Sequence, residues 1–142
     1  MTRLSGKRAV ITGAGSGIGR GTALRFAMEG AAVVCADRDI AGAQETVTMI
    51  AGKGGTALAV AADVANGADA AAMIDFCADA FGGIDVLYAN AGIPGVGTGA
   101  STTLDEWQRV IDVNLTGVFL SDKYALKHLI AQGGGGSIIN QA

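Results

Sequence analysis

Short apolar runs alternate with helix-length segments along the whole chain, and glycines punctuate the joints. This alternation restricts the fold more than any other feature of the sequence. Strands are expected at Arg8–Thr12, 32–36, Thr56–Ala61, 84–89 and Ser137–Asn140. Helices are expected at 16–29, Ile40–Ala51, 68–81, 104–110 and 113–131. Gly30 and the pair Gly82-Gly83 sit where helices should stop. The strands are apolar at successive residues, as in Ala9-Val10-Ile11 and Val33-Val34-Cys35, which fits a sheet buried on both faces. Strict β-α alternation predicts an α/β fold with a parallel sheet covered by helices on both sides. Right-handed crossovers then leave the doubly wound arrangement as the commonest topology.

The chain is 142 residues long and about half hydrophobic, so one domain, residues 1–142, accounts for all of it. Its 23 glycines cluster at turns and form no repeat. The run Gly133-Gly134-Gly135-Gly136-Ser137 has the composition of a flexible linker. The alternation expects a strand at Ile138-Ile139, so the run is read as a turn between helix and strand. The net charge of −3 and the scattered Arg and Lys give no electrostatic case for nucleic acid or an anionic membrane. No apolar run approaches the ~20 residues a membrane span needs, and the first residues carry no apolar signal segment. Cys35 and Cys77, inside a strand and a helix, read as reduced core residues. The expected compartment is the cytoplasm.

The turn after the first strand carries the chemistry. Thr12-Gly13-Ala14-Gly15-Ser16-Gly17-Ile18-Gly19 does not match G-x-G-x-x-G but does match T-G-x-x-x-G-x-G. A glycine for the tight turn, one for backbone approach and one for close helix-sheet packing would place a helix N-terminus against a dinucleotide pyrophosphate. Asp37 closes the second strand, where a carboxylate accepts hydrogen bonds from ribose hydroxyls and repels a 2′-phosphate. That favours NAD over NADP. Arg38 beside it is a cation able to accept the phosphate, which pulls the other way. No metal-ligand cluster is visible.

Taken together, the glycine turn, Asp63-Val64 after the third strand, Asn90-Ala91-Gly92 after the fourth, and Asn114 resemble the N-terminal part of a classical short-chain dehydrogenase/reductase. The resemblance covers essentially the whole chain. It implies a Rossmann-type sheet in the order 3-2-1-4-5, with the family's C-terminal strands absent. Asp63 would meet the adenine amino group and the Val64 backbone its ring. Asn90, Ala91 and Gly92 would lie against the ribose, and Asn114 would hold a water in a proton relay. Ser16 stands where NADP-preferring relatives often carry a basic residue. Read without the family, Asn114 is a polar residue satisfied locally in an apolar helix.

The family's serine, tyrosine and lysine are not in these residues. Aligned on Gly136-Ser137-Ile138-Ile139-Asn140, the serine falls immediately after Ala142. Tyr88 sits in a strand, and Tyr124 is followed by His128 where the family has lysine. The expected function is therefore the front half of an NAD-dependent oxidoreductase acting on a secondary alcohol or ketone, with residues 1–142 alone inactive. The alternative is a stand-alone NAD-binding module or fragment without turnover. The two last helices carry Trp107, Val110, Phe119, Leu120, Leu126 and Leu129, and the resemblance pairs them between subunits of a homodimer or homotetramer.

Overall fold

The computed structural model describes residues 2–142. Strands β1 (Arg8–Thr12), β2 (Ala32–Asp37), β3 (Thr56–Ala61), β4 (Val86–Ala89) and β5 (Ser137–Asn140) form one sheet in the order β3-β2-β1-β4-β5. Every neighbouring pair runs parallel. Helices α1 (Gly17–Met28), α2 (Ile40–Ala51), α3 (Gly67–Phe81), α4 (Leu104–Ile111) and α5 (Gly117–Gln132) complete the Rossmann-type fold.

The continuously apolar strands are explained by how they divide their side chains. Val10, Val34 and Leu87 pack with Met73, Ile74 and Cys77 of α3 and with Ala125 and Leu129 of α5. The next residue of each strand faces the other way. Ile11, Cys35 and Tyr88 join Ala23 and Ala27 of α1 and Ala43 and Ile50 of α2. Period-two alternation therefore feeds two cores instead of one. Each fully buried Ile or Leu contributes about 1.5–3 kcal/mol over exposure. Cys35 and Cys77 lie in opposite layers, and burial pushes both thiols up to about 12.

Local signals set the helix ends. The Asn66 carbonyl accepts from the N–H groups of Ala68 (2.8 Å) and Asp69 (3.2 Å) at the start of α3. The Thr103 hydroxyl accepts from the Glu106 N–H (3.2 Å) at the start of α4. The glycine run after α5 is a packed turn. A Cβ at Gly136 would press on the Leu129 side chain and lie 2.8 Å from the Asp85 carbonyl, and Ser137 N–H donates to that carbonyl at 2.9 Å.

Two boundaries differ from the sequence reading by more than one residue. β4 begins at Val86, not residue 84. The Gln132 amide takes both the N–H and the carbonyl of Ile84, at 2.9 and 2.8 Å, so that residue is bonded to a helix end and not to a strand. The break expected between residues 110 and 113 is absent. A π-helical turn, Asp112–Thr116, joins α4 to α5, and the Gly117 N–H reaches back to the Asp112 carbonyl. No glycine or proline stands within residues 110–116 to stop the helix, and the wider turn absorbs the change of register.

Arg8 and Asp85 fasten β1 to β4 at the N-terminal end of the sheet. The guanidinium donates to Asp85 at 2.8 and 3.1 Å, and the Arg8 N–H donates to the same carboxylate at 2.8 Å. These hydrogen bonds hold the Asp85 carboxyl below the usual carboxylate range.

Candidate functional site

The strand order reverses between β1 and β4, and a crevice opens there at the C-terminal ends of the strands. Thr12, fully buried, ties the two strand ends together. Its hydroxyl accepts from the N–H groups of Asn90 and Ala91, both at 2.9 Å, and its carbonyl accepts from the Asn90 amide at 3.0 Å. The cleft holds about 450 Å³.

The glycine turn forms one wall. Gly13 has φ +67°, and a Cβ there would lie 3.0 Å from both the Ala91 Cα and the Asn90 amide nitrogen. Gly17 opens α1 with φ +53° and faces open space. Ser16, Gly17 and Ile18 are exposed and line the cleft with Gly13. Gly19 does not line it. A Cβ there would collide with the Gly13 carbonyl and the Asn90 amide, so Gly19 lets α1 sit directly beneath the turn.

The adjoining wall comes from the ends of β2 and β3. Asp37, Arg38, Asp39, Asp63 and Val64 all face the cleft. Asp37 accepts from the Gly15 N–H at 2.8 Å through one oxygen and from the Asp39 N–H at 2.9 Å through the other. Each carboxylate oxygen keeps a further lone pair. Asp63 accepts from the Ala65 N–H at 3.0 Å, and its own N–H donates to Asp69 at 3.0 Å. Val64 is buried against Gly117, where a Cβ would lie 2.7 Å from its Cγ2.

Asn90, Ala91 and Gly92 form the floor, continued by Ile93 and Val113. Asn114 lies in the π turn behind them. Its carbonyl accepts from the Ile93 N–H at 2.8 Å and its amide donates to the Ile93 carbonyl at 2.9 Å. One lone pair and one N–H of this side chain remain for a water. The loop beyond Ile93 is strapped to α4, where Glu106 accepts from the Val96 N–H at 3.1 Å and from Arg109 at 2.7 Å.

The structure thus gathers eleven of the sequence-selected residues, Arg38 among them, around one cleft, with Gly19 and Asn114 supporting it from behind. The other candidates for chemistry lie elsewhere. The Tyr88 hydroxyl donates to Gln141 at 2.8 Å, and His128 pairs with Asp75 of α3 at 2.7 Å. Asp39 and Val113 were not singled out in the sequence. Asp39 was findable, since it follows Asp37-Arg38 in the same loop, whereas Val113 is placed by tertiary packing alone. Among the described residues no three His, Cys, Asp or Glu side chains are grouped to hold a metal, and no helix is long and apolar enough to cross a membrane.

Comparison with known proteins gives the family. Residues 7–142 match the family described as short chain dehydrogenase. The chain is 42% identical over 141 residues to a cyclohexanol dehydrogenase of Acinetobacter sp. (strain SE19), covering 99% of this chain and 56% of that protein. It is 44% identical over 138 residues to 3beta-hydroxysteroid dehydrogenase 1 of Eggerthella lenta, covering 96% of this chain and 53% of that protein. Among solved structures, a short-chain type dehydrogenase/reductase from Mycobacterium marinum superposes with a TM-score of 0.95 at 44% identity, over 98% of this chain and 56% of that one. The chain spans about half the length of the relatives it matches. It belongs to the short-chain dehydrogenase family.

Proposed function

We propose that this member of the short-chain dehydrogenase family is the NAD-holding part of an oxidoreductase that interconverts a secondary alcohol and its ketone. The observation that carries the reading is the cleft at the β1/β4 reversal, with a backbone N–H turn on one side and the Asp37 carboxylate on the other. The residues fit the cofactor chemically. The first-turn N–H groups of α1 suit a pyrophosphate, and the open space before Gly17 leaves room for backbone approach. Asp37 has lone pairs free for ribose hydroxyls and would repel a 2′-phosphate, so NAD is the preferred form. Asp63 and Val64 are assigned to the adenine, and Asn90, Ala91 and Gly92 to the ribose.

NAD supplies the hydride acceptor when bound. This chain's own residues bind and orient it, and Asn114 braces Ile93 at the end of the cleft away from Asp37. The remaining hydrogen-bonding capacity of Asn114 suits a relay water. A proton acceptor for the alcohol lies outside residues 1–142 on this reading. The relatives are named for cyclohexanol, a 3beta-hydroxysteroid, glucose and meso-2,3-butanediol, so the proposed substrate is a small or cyclic secondary alcohol. Leu104, Trp107, Leu115, Phe119, Leu126 and Ile130 are exposed along α4, the π turn and α5. They are the proposed surface of a homodimer or homotetramer. Leu129 belongs to the core instead.

The test is NADH formation, followed at its absorbance, with these four alcohols, using the protein expressed from its complete coding sequence and residues 1–142 alone. Turnover is expected from the first with NAD and none from the second. A complete product that binds neither NADH nor NADPH would overturn the reading. Turnover by residues 1–142 would overturn the placement of the proton acceptor.

A further inference from the structure

The peptides before the exposed N–H groups of the turn are held from behind. Gly15 is buried, whereas Ser16, Gly17 and Ile18 are exposed. Thr46, on α2 and fully buried, donates to the Ala14 carbonyl at 2.8 Å. Arg20, on α1, donates through Nε to the Thr46 hydroxyl at 3.0 Å and through its terminal nitrogen to the Gly15 carbonyl at 2.5 Å. The Ala14 N–H is taken by Ala36 at 3.1 Å and the Gly15 N–H by Asp37. The N–H and carbonyl groups of both residues are therefore engaged within the protein, the two carbonyls by Thr46 and Arg20 behind the turn. α2 comes close enough to do this because Gly42 faces the turn, where a Cβ would lie 3.0 Å from the Gly15 carbonyl oxygen.

The consequence follows from peptide geometry. Among the described residues all peptide bonds are trans. In a planar trans peptide the C=O and the following N–H point in opposite directions. With the Gly15 carbonyl drawn back onto Arg20, the Ser16 N–H points away from Arg20, on the residue that lines the cleft. Among the described residues the N–H groups of Ser16, Gly17 and Ile18 have no protein partner.

We propose that Arg20, seated on Thr46, is a positioning residue that aims the turn's N–H groups at the phosphates of the bound dinucleotide without touching it. This rests on the cofactor reading above. Arg20 carries its charge behind the turn, where Glu45 meets it at 2.6 Å from a mostly exposed position. Its role is thus distinct from a direct phosphate contact, and a lysine, a single ammonium without the planar fork, reproduces it only in part.

The experiment measures NADH affinity by fluorescence and adenosine affinity by competition, on the complete protein, for the unmodified form, Arg20→Ala, Arg20→Lys and Glu45→Gln. Losing a charged hydrogen bond to the turn should weaken NADH about tenfold to a hundredfold in Arg20→Ala. Adenosine, which has no phosphate, should change less than about twofold, because the turn's donors do not serve it. Arg20→Lys should fall between, and it carries the test if the alanine variant does not fold. Glu45→Gln should leave both affinities in place. Equal losses for NADH and adenosine, or no loss of NADH affinity, would overturn the proposal. Failure of the unmodified protein to bind NADH would bring down the cofactor reading itself, and this proposal with it.

Discussion

Asp37 holds two jobs in one carboxylate, and two substitutions separate them. One oxygen accepts from the Gly15 N–H at 2.8 Å, and Gly15 is buried. Asp37→Ala leaves that N–H without a partner, at a cost of about 1–3 kcal/mol shared between stability and cofactor affinity. The same change removes the charge that, on the proposed NAD reading, would face a 2′-phosphate. Two unit charges about 4 Å apart interact by ~4 kcal/mol at an effective dielectric of ~20, and Asp37 is only half-buried, so salt and solvent reduce this. A preference for NADH over NADPH of roughly 10- to 150-fold, or about 1.5–3 kcal/mol, is expected of the unmodified protein. Asp37→Asn keeps an acceptor for Gly15 but loses the charge. It should hold NADH affinity within about fivefold while the preference collapses. Asp37→Ala should lose both. Fluorescence titration of the two cofactors at low and high salt reads all four quantities, and the preference of the unmodified protein should shrink with salt. Equal NADH losses in the two variants would refute the Gly15 argument. Equal binding of NADH and NADPH by the unmodified protein would refute the charge argument.

The two helix glycines should fail differently. Gly17→Ala meets open space and is strained only by its φ of +53°, costing about 1–2 kcal/mol, so it should stay folded and lose NADH binding. Gly19→Ala drives a methyl into the Gly13 carbonyl and should lower Tm by more than Gly17→Ala does; the opposite order would count against the assigned roles. Asp85→Ala removes the β1–β4 fastening and should destabilise by about 1–3 kcal/mol in urea unfolding. The Asp85 carboxyl is held low by Arg8, so its contribution is fully present above the ordinary carboxylate pKa and disappears as pH falls through the folded value. Asp85→Asn should therefore lack part of the acid limb of the stability profile, and an unchanged limb would refute the linkage. With both thiols pushed up to about 12 and both cysteines buried, Cys35 and Cys77 should resist a disulfide reagent at pH 8 until the chain is unfolded, and rapid labelling of the folded chain would contradict that burial.

The sequence carried the strands because sheet burial on two faces leaves a one-dimensional mark. Val10 and Ile11 serve different cores, yet both must be apolar, so the run is visible without knowing which layer each joins. The start of β4 left no such mark. Ile84 is as apolar as a strand residue, and only the arrival of Gln132 from the end of α5 takes it out of the ladder. The join of α4 to α5 was hidden for a related reason. The π turn places Asn114 where its amide meets both polar groups of Ile93, a pairing between distant segments that helix periodicity does not encode.

The glycine turn shows how far a motif reaches. Its spacing gave each glycine a role, and the folded chain supplies the contacts that enforce it. Gly13 is pressed against Ala91, Gly17 needs a positive φ before open space, and Gly19 must admit the Gly13 carbonyl. These are three different physical demands, and they produce the same letter. The cation behind the turn was less legible still. In the sequence Arg20 is one of ten basic residues, and although it directly follows Gly19 the motif assigns it no part. On that proposal it acquires a role because α2 returns across the turn and brings Thr46 and Gly42 to it. On the proposed reading a local motif names the surface that faces the ligand, while the partners that seat Arg20 behind it come from the next βα unit and emerge only when the chain is folded.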